Sequence, residues 1–117
     1  STGIGLDAVT TLKTRGYDVL ASCRSAYDVG VLITRGIDCI QLDLASSESI
    51  QNAIAEIREH GQLYGLINNA AFGVPGAVED LSREALRHQF ETNVLGTHEL
   101  TTACLELMLP QQQGRII

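Results

Sequence analysis

Glycines at positions 3 and 5 of the opening run S-T-G-I-G flank one isoleucine and lead into L-D-A-V-T-T-L-K, which reads as a helix. Lacking a Cβ, each lets the backbone approach a ligand closely, and the unpaired N–H groups at a helix start favour an anion such as a phosphate. The same pair also serves as plain turn chemistry. Arg24 follows the run Y-D-V-L-A-S-C, and no Asp or Glu occupies positions 21–25. An Arg there offers a planar fork to another phosphate or stays solvated. Asp43 closes the run I-D-C-I-Q-L, where a carboxylate accepts from an amino group or caps the turn.

Two adjacent amides, Asn68 and Asn69, follow the apolar run at 63–67 and precede Ala70 and Ala71. Buried amides are costly unless their donors and acceptors are used. One of them can tie neighbouring strands together while the alanines leave room for a flat ligand; an Asx turn is the plainer alternative. Asn93, in T-N-V-L-G, interrupts a strongly helical stretch, and Asn competes with the helix backbone for hydrogen bonds. It signals a kink or a buried polar role, and Gly96 permits close packing or local irregularity. The alternative for both is ordinary wear on an exposed helix face.

Other polar residues have simpler roles. His88 and His98 lack the i, i+4 spacing that sets two metal ligands on one helix face, and His60 precedes a helix-ending glycine where a cation suits the dipole. No metal is assigned. Glu79 and Asp80 precede a helix, where acidic residues are favoured. No nucleophile stands beside a base, so nothing marks a hydrolase.

The elements that must hold these residues follow from periodicity. Leu6, Val9 and Leu12 form a helical stripe ended by Gly16, and Val29, Leu32 and Ile33 form another closed by Gly36. Strands are expected at 17–23 and 37–42. Ser46 or Ser47 can cap a helix with Ile50, Ile54 and Ile57 on one face, ended by Gly61. The run at 63–67 reads as a strand covered on both faces. One long helix is expected over 82–109, with Leu86, Phe90, Val94, Leu100, Cys104 and Leu107 as its apolar positions, stopped by Pro110. A further buried strand begins at 114–117. This alternation predicts an α/β fold, a doubly wound parallel sheet with helices on both faces, which binds dinucleotides at the carboxyl ends of its strands. Arg24 then stands beside the adenosine ribose, where an Arg suits a 2'-phosphate.

With 117 residues, one domain over 1–117 is expected. The 44% hydrophobic and 19% charged residues make a globular mixture, and a net charge of −6 without any basic run argues against nucleic acid. Cys23, Cys39 and Cys104 form no C-x-x-C pair, so free thiols and a reducing compartment are expected. With no apolar run long enough to span a bilayer and no signal-peptide layout, no membrane partner is expected and a cytoplasmic location is the default.

In their order and spacing these residues resemble the N-terminal half of a short-chain dehydrogenase/reductase. The resemblance covers essentially all 117 residues: T-G-I-G at 2–5 as the tail of the family's T-G-x-x-x-G-I-G turn, D-L at 43–44, N-N-A-A at 68–71 and N-V-L-G at 93–96. It implies a Rossmann-type sheet with Gly3, Ile4 and Gly5 at a pyrophosphate, Arg24 at an NADP phosphate, and Asp43 and Leu44 at the adenine. Asn69, Ala70 and Ala71 would line the nicotinamide-side ribose. Asn93 matches the family's catalytic Asn, which holds a water in a proton relay. NADP is expected over NAD. Ala71 departs from the family's usual Gly, which asks only for a negative φ.

The resemblance also implies missing parts. The family's Ser and Y-x-x-x-K lie beyond Ile117, and its central first strand precedes Ser1. In the family order 3-2-1-4-5, the strands at 17–23 and 63–67 would then face each other across a gap, and the 117 residues alone are expected to be unstable or to aggregate. The expected function is that of a parent oxidoreductase moving hydride between NADP(H) and a carbonyl or alcohol, with a lean toward lipophilic substrates. The alternatives are a non-catalytic NADP-binding regulator and an inactive truncated reading frame. An extended-type epimerase fits the glycine spacing less well. Family members often pair through the helix at 82–109; Leu95 and Met108 suit either such a homo-oligomer or the core.

Overall fold

Gly16 and Gly36 end the first two helices with φ of 85° and 74°, left-handed values that a Cβ would penalise. The same pair of bonds closes both ends. Gly16 N–H donates to the Lys13 carbonyl and Tyr17 N–H to that of Leu12, while Gly36 donates to Ile33 and Ile37 to Leu32. In the computed structural model, which describes residues 3–117, these helices are α1 (Gly3–Thr14) and α2 (Ala26–Thr34). The chain divides into two units, one ending at Asp43 and the other spanning Leu44–Ile117.

In the first unit, β1 (Ala21–Cys23) pairs in parallel with β2 (Cys39–Gln41), with Ala21 beside Cys39 and Cys23 beside Gln41. Ala21 and Cys23 point inward and Ser22 outward, the period-two alternation of a strand. They join Leu32 and Cys39 in a core against which Leu6, Val9, Val29 and Ile37 pack. The predicted strand at 17–23 forms a ladder only at its end, and Tyr17 is exposed. Lys13 Nζ donates to the Gly36 carbonyl at 3.0 Å and lies 3.9 Å from the Asp38 carboxylate, linking the end of α1 to the turn after α2.

In the second unit, α3 (Ser47–His60) is capped by Ser46, whose hydroxyl accepts from Ser49 N–H at 3.2 Å. Its Ile50, Ala53 and Ile54 are buried, as are Leu100, Cys104 and Met108 of α5 (Thr97–Met108). Ser47 Oγ also donates to Glu99 Oε2 at 2.8 Å. β3 (Gly65–Leu66) pairs in parallel with β4 (Arg115–Ile116), Gly65 beside Arg115.

Three expectations need correction. The run at 63–67 is not covered on both faces, since Tyr64 and Ile67 are exposed, and the run at 114–117 is not buried, since Ile116 and Ile117 are exposed. Among the described residues each of these strands has a single strand neighbour, and these apolar side chains stand open to solvent. The long helix is not continuous: α4 (Arg83–Phe90), capped by Ser82, gives way to a π-helical segment (Glu91–Gly96) and then to α5. Met108, 3% exposed, belongs to the core rather than to a surface row.

Candidate functional site

In the first unit, Gly3 opens α1 with φ 68°, and among the described residues no atom from elsewhere in the chain lies within 4 Å of where a side chain would begin. Ile4 is exposed and Gly5 half-buried. Thr2, the first residue of T-G-I-G, lies outside the described residues. Arg24 directly follows β1, and its carbonyl accepts from Gln41 Nε2 at 3.0 Å, which fixes the backbone at the strand end. Among the described residues its exposed guanidinium enters no ion pair.

Ser25 caps α2 in extended backbone (φ −88°, ψ 131°), but its side chain makes no capping bond. Its hydroxyl therefore stands at a helix start, one residue after Arg24 in the chain. Sequence reasoning missed it, although a serine between a strand and a helix was the available signal. Asp43 is half-buried at the end of this unit. Each helix start, the Arg24 guanidinium and the Ser25 hydroxyl can donate to phosphate oxygens.

In the second unit, Leu44 is buried and Gly96 lies against it. A methyl on Gly96 would stand 2.7 Å from the Leu44 carbonyl carbon and overlap its oxygen. Asn93 reaches back to the loop after β3. Its Oδ1 accepts from Phe72 N–H at 3.1 Å, and its Nδ2 donates to the Phe72 carbonyl at 2.7 Å. Both ends of the amide thus engage the residue that follows Ala71. The π segment sets this aim, because one wide turn rotates Asn93 relative to the α-helix on either side. Thr97 Oγ1 donates to the Thr92 carbonyl at 3.2 Å across that turn.

Asn68 Nδ2 donates to Thr101 Oγ1 at 3.2 Å, and Asn68 N–H to the Ile117 carbonyl at 2.7 Å. The Asn68 side-chain amide thus ties the strand end to α5 rather than to a neighbouring strand, which only its main-chain N–H reaches, while Asn69, Ala70 and Ala71 are exposed. The Phe72 ring leans on His88, centroids 5.1 Å apart. An open groove of about 560 Å³ between α3 and α5, lined by Arg58, His98 and Glu99 among others, contains none of the predicted site residues.

Two of the buried thiols are held protonated by their surroundings. Burial, reinforced by neighbouring Cys23, pushes Cys39 up to about 12, and burial alone pushes Cys104 up to about 11. All three cysteines are free. Among the described residues no His, Cys, Asp and Glu cluster could hold a metal, and no helix is long and apolar enough to cross a membrane. Lys13, the only lysine in the sequence, precedes every tyrosine, so no Tyr-x-x-x-Lys pair occurs within these residues.

Comparison with known proteins decides the family: the model described as short chain dehydrogenase matches residues 1–117. The chain belongs to the short-chain dehydrogenase family. It is 40% identical over 119 residues to the uncharacterized oxidoreductase YbbO of Escherichia coli K12, covering 100% of this chain and 44% of that protein. It is 33% identical over 127 residues to retinol dehydrogenase 8 of Bos taurus, covering 100% of this chain and 40% of the relative. A crystal structure of a short-chain dehydrogenase from Streptomyces avermitilis superposes with a TM-score of 0.90 at 27% identity, over 98% of this chain and 44% of that one. The chain thus spans less than half the length of these relatives. The fold is the Rossmann type of this family, which binds NAD(P) and acts on small molecules.

Proposed function

We propose that residues 1–117 are the cofactor-binding half of an NADP-preferring oxidoreductase that acts on a carbonyl or alcohol. The observation that carries the NADP preference is the exposed Arg24 guanidinium just after β1, which enters no ion pair among the described residues, followed in the chain by Ser25, whose hydroxyl makes no capping bond. An acidic residue there would accept from a free ribose hydroxyl and repel a 2'-phosphate; a guanidinium does the reverse.

The residues present suit the cofactor. Gly3, Ile4 and Gly5 at the start of α1 would receive the pyrophosphate, where helix N–H groups favour an anion. Arg24 and Ser25 would bind the 2'-phosphate, and Asp43 and Leu44 would flank the adenine. Asn69, Ala70 and Ala71 would line the nicotinamide-side ribose. When bound, the cofactor supplies or accepts the hydride. Asn93 acts on this chain's own backbone, fixing Phe72 so that the loop keeps its shape. The family's proton-exchanging Tyr and Lys would have to come from other parts of the proposed parent enzyme.

The names of the relatives support a lipophilic substrate: a retinol dehydrogenase is among them. A homo-oligomer through the helical stretch at 82–109 is supported by the exposure of Phe90, Val94 and Leu95. The absence of a described membrane-spanning helix is compatible with a cytoplasmic enzyme. The test is to follow nicotinamide absorbance while the full-length protein, supplied with NADPH, is offered aldehydes and ketones of graded lipophilicity. Turnover that rises with substrate lipophilicity is expected; no turnover of any carbonyl or alcohol, in either direction, would contradict the proposal.

A further inference from the structure

We infer that Thr101 is a positioning residue for the loop that would meet the nicotinamide side of the cofactor. This deepens the dehydrogenase reading and rests on it. The loop from Asn68 to Phe72 has no regular secondary structure, yet it is fastened at both ends to one helical stretch. At its far end Asn93 holds the Phe72 N–H and carbonyl; at its near end the Thr101 hydroxyl accepts from Asn68 Nδ2 at 3.2 Å. Asn68, Phe72, Asn93 and Thr101 are all half-buried. Between the fastened ends Asn69 N–H turns back to the Ile67 carbonyl at 3.1 Å, while Ala70 and Ala71 are exposed and enter no hydrogen bond among the described residues.

The two fastenings differ in kind. Asn93 grips main chain, so its hold depends little on which side chain Phe72 carries. Thr101 grips a side chain, so this tie, which adds to the main-chain bond from Asn68 N–H to the Ile117 carbonyl, holds only while Asn68 keeps its amide and position 101 its hydroxyl. A valine at 101 keeps the shape of threonine but leaves the half-buried Asn68 amide without this acceptor. The near end of the loop then keeps only its main-chain bonds, and the exposed edge of Ala70 and Ala71 is presented less uniformly. Binding to a loop populated in several conformations weakens by the fraction that remains competent.

The test compares Thr101→Val, Thr101→Ser and the neighbouring exposed Thr102→Val in the full-length protein. Two readouts are used: amide hydrogen exchange over residues 68–72 without cofactor, and the dissociation constant for NADPH. Thr101→Val is expected to speed loop exchange and weaken NADPH binding about tenfold. Thr101→Ser, which retains the hydroxyl, should restore both, and Thr102→Val should leave both unchanged. Adding Thr101→Val to Asn68→Ala should cost nothing further. Unaltered exchange and affinity in Thr101→Val, or equal weakening by Thr102→Val, would overturn the inference. Faster exchange with unchanged affinity would overturn the positioning role alone. Failure of the unsubstituted protein to bind either nicotinamide cofactor would instead overturn the dehydrogenase reading and the inference with it.

Discussion

Gly96 touches the main chain of Leu44 so closely that even a methyl group has no place between them. The π segment that ends at Gly96 brings this contact about, and the same segment turns Asn93 toward Phe72. Backbone has no rotamer with which to move aside. Gly96→Ala should therefore destabilise the full-length protein by about 1–3 kcal/mol, in the range for overpacked cores. Chemical denaturation checks it, and an unchanged midpoint would mean that the segment relaxes without cost.

Asn93 makes a second prediction. Asn93→Ala leaves the Phe72 N–H and carbonyl without their partners, at a cost of about 1–3 kcal/mol. Asn93→Asp keeps the acceptor for the N–H but sets a carboxylate oxygen against the carbonyl, so it should rescue little of the loss. Denaturation midpoints of the two variants, together with exchange of the Phe72 amide, make the comparison.

Much of this arrangement was legible beforehand. The glycines at 16, 36 and 61 were expected to end helices, and all three have positive φ. Asn93 and Gly96 in the sequence signal a kink or buried polar role and a close approach, respectively. Nothing in the residue types called for a π turn, because its wider hydrogen-bond ring has no side-chain signature. The exposure of Tyr64, Ile67 and Ile116 was not legible either, since an apolar run tells that a strand suits cover but not which neighbours supply it. The bond from Asn68 to Thr101 joins residues distant in sequence, which no local pattern reveals. Arg24 stands out in the sequence by its place after a strand, whereas the missing capping bond of Ser25 shows only in the structure.

The thiols give a pH prediction. Cys39 and Cys104 have folded values raised from 9.0 to about 12 and about 11. Above pH 9 the unfolded chain loses these protons while the folded chain keeps them, so the unfolded state binds fewer protons and stability falls as pH rises. Their contribution should be fully present below about pH 9 and lost progressively up to about pH 11–12. A disulfide reagent at neutral pH should modify Cys23, Cys39 and Cys104 only after denaturant is added. Rapid labelling of the folded protein would contradict their burial.

Phe90 is 60% exposed on the helical stretch at 82–109. If this face joins two copies, Phe90→Asp should convert a dimer to a monomer in sedimentation, with little change in the unfolding of each subunit. A dimer that survives the substitution would place the interface elsewhere.

The central claim is a nicotinamide cofactor bound with preference for NADP, and titration of the full-length protein with NADPH and NADH tests it most directly. The unsubstituted protein should bind NADPH more tightly than NADH. Arg24→Asp should reverse the order, weakening NADPH by about a hundredfold while sparing NADH, since a charge-assisted pair is lost and a repulsive one gained. Equal affinity for the two cofactors, unmoved by the substitution, would contradict the role given to Arg24, and binding of neither would contradict the cofactor site itself.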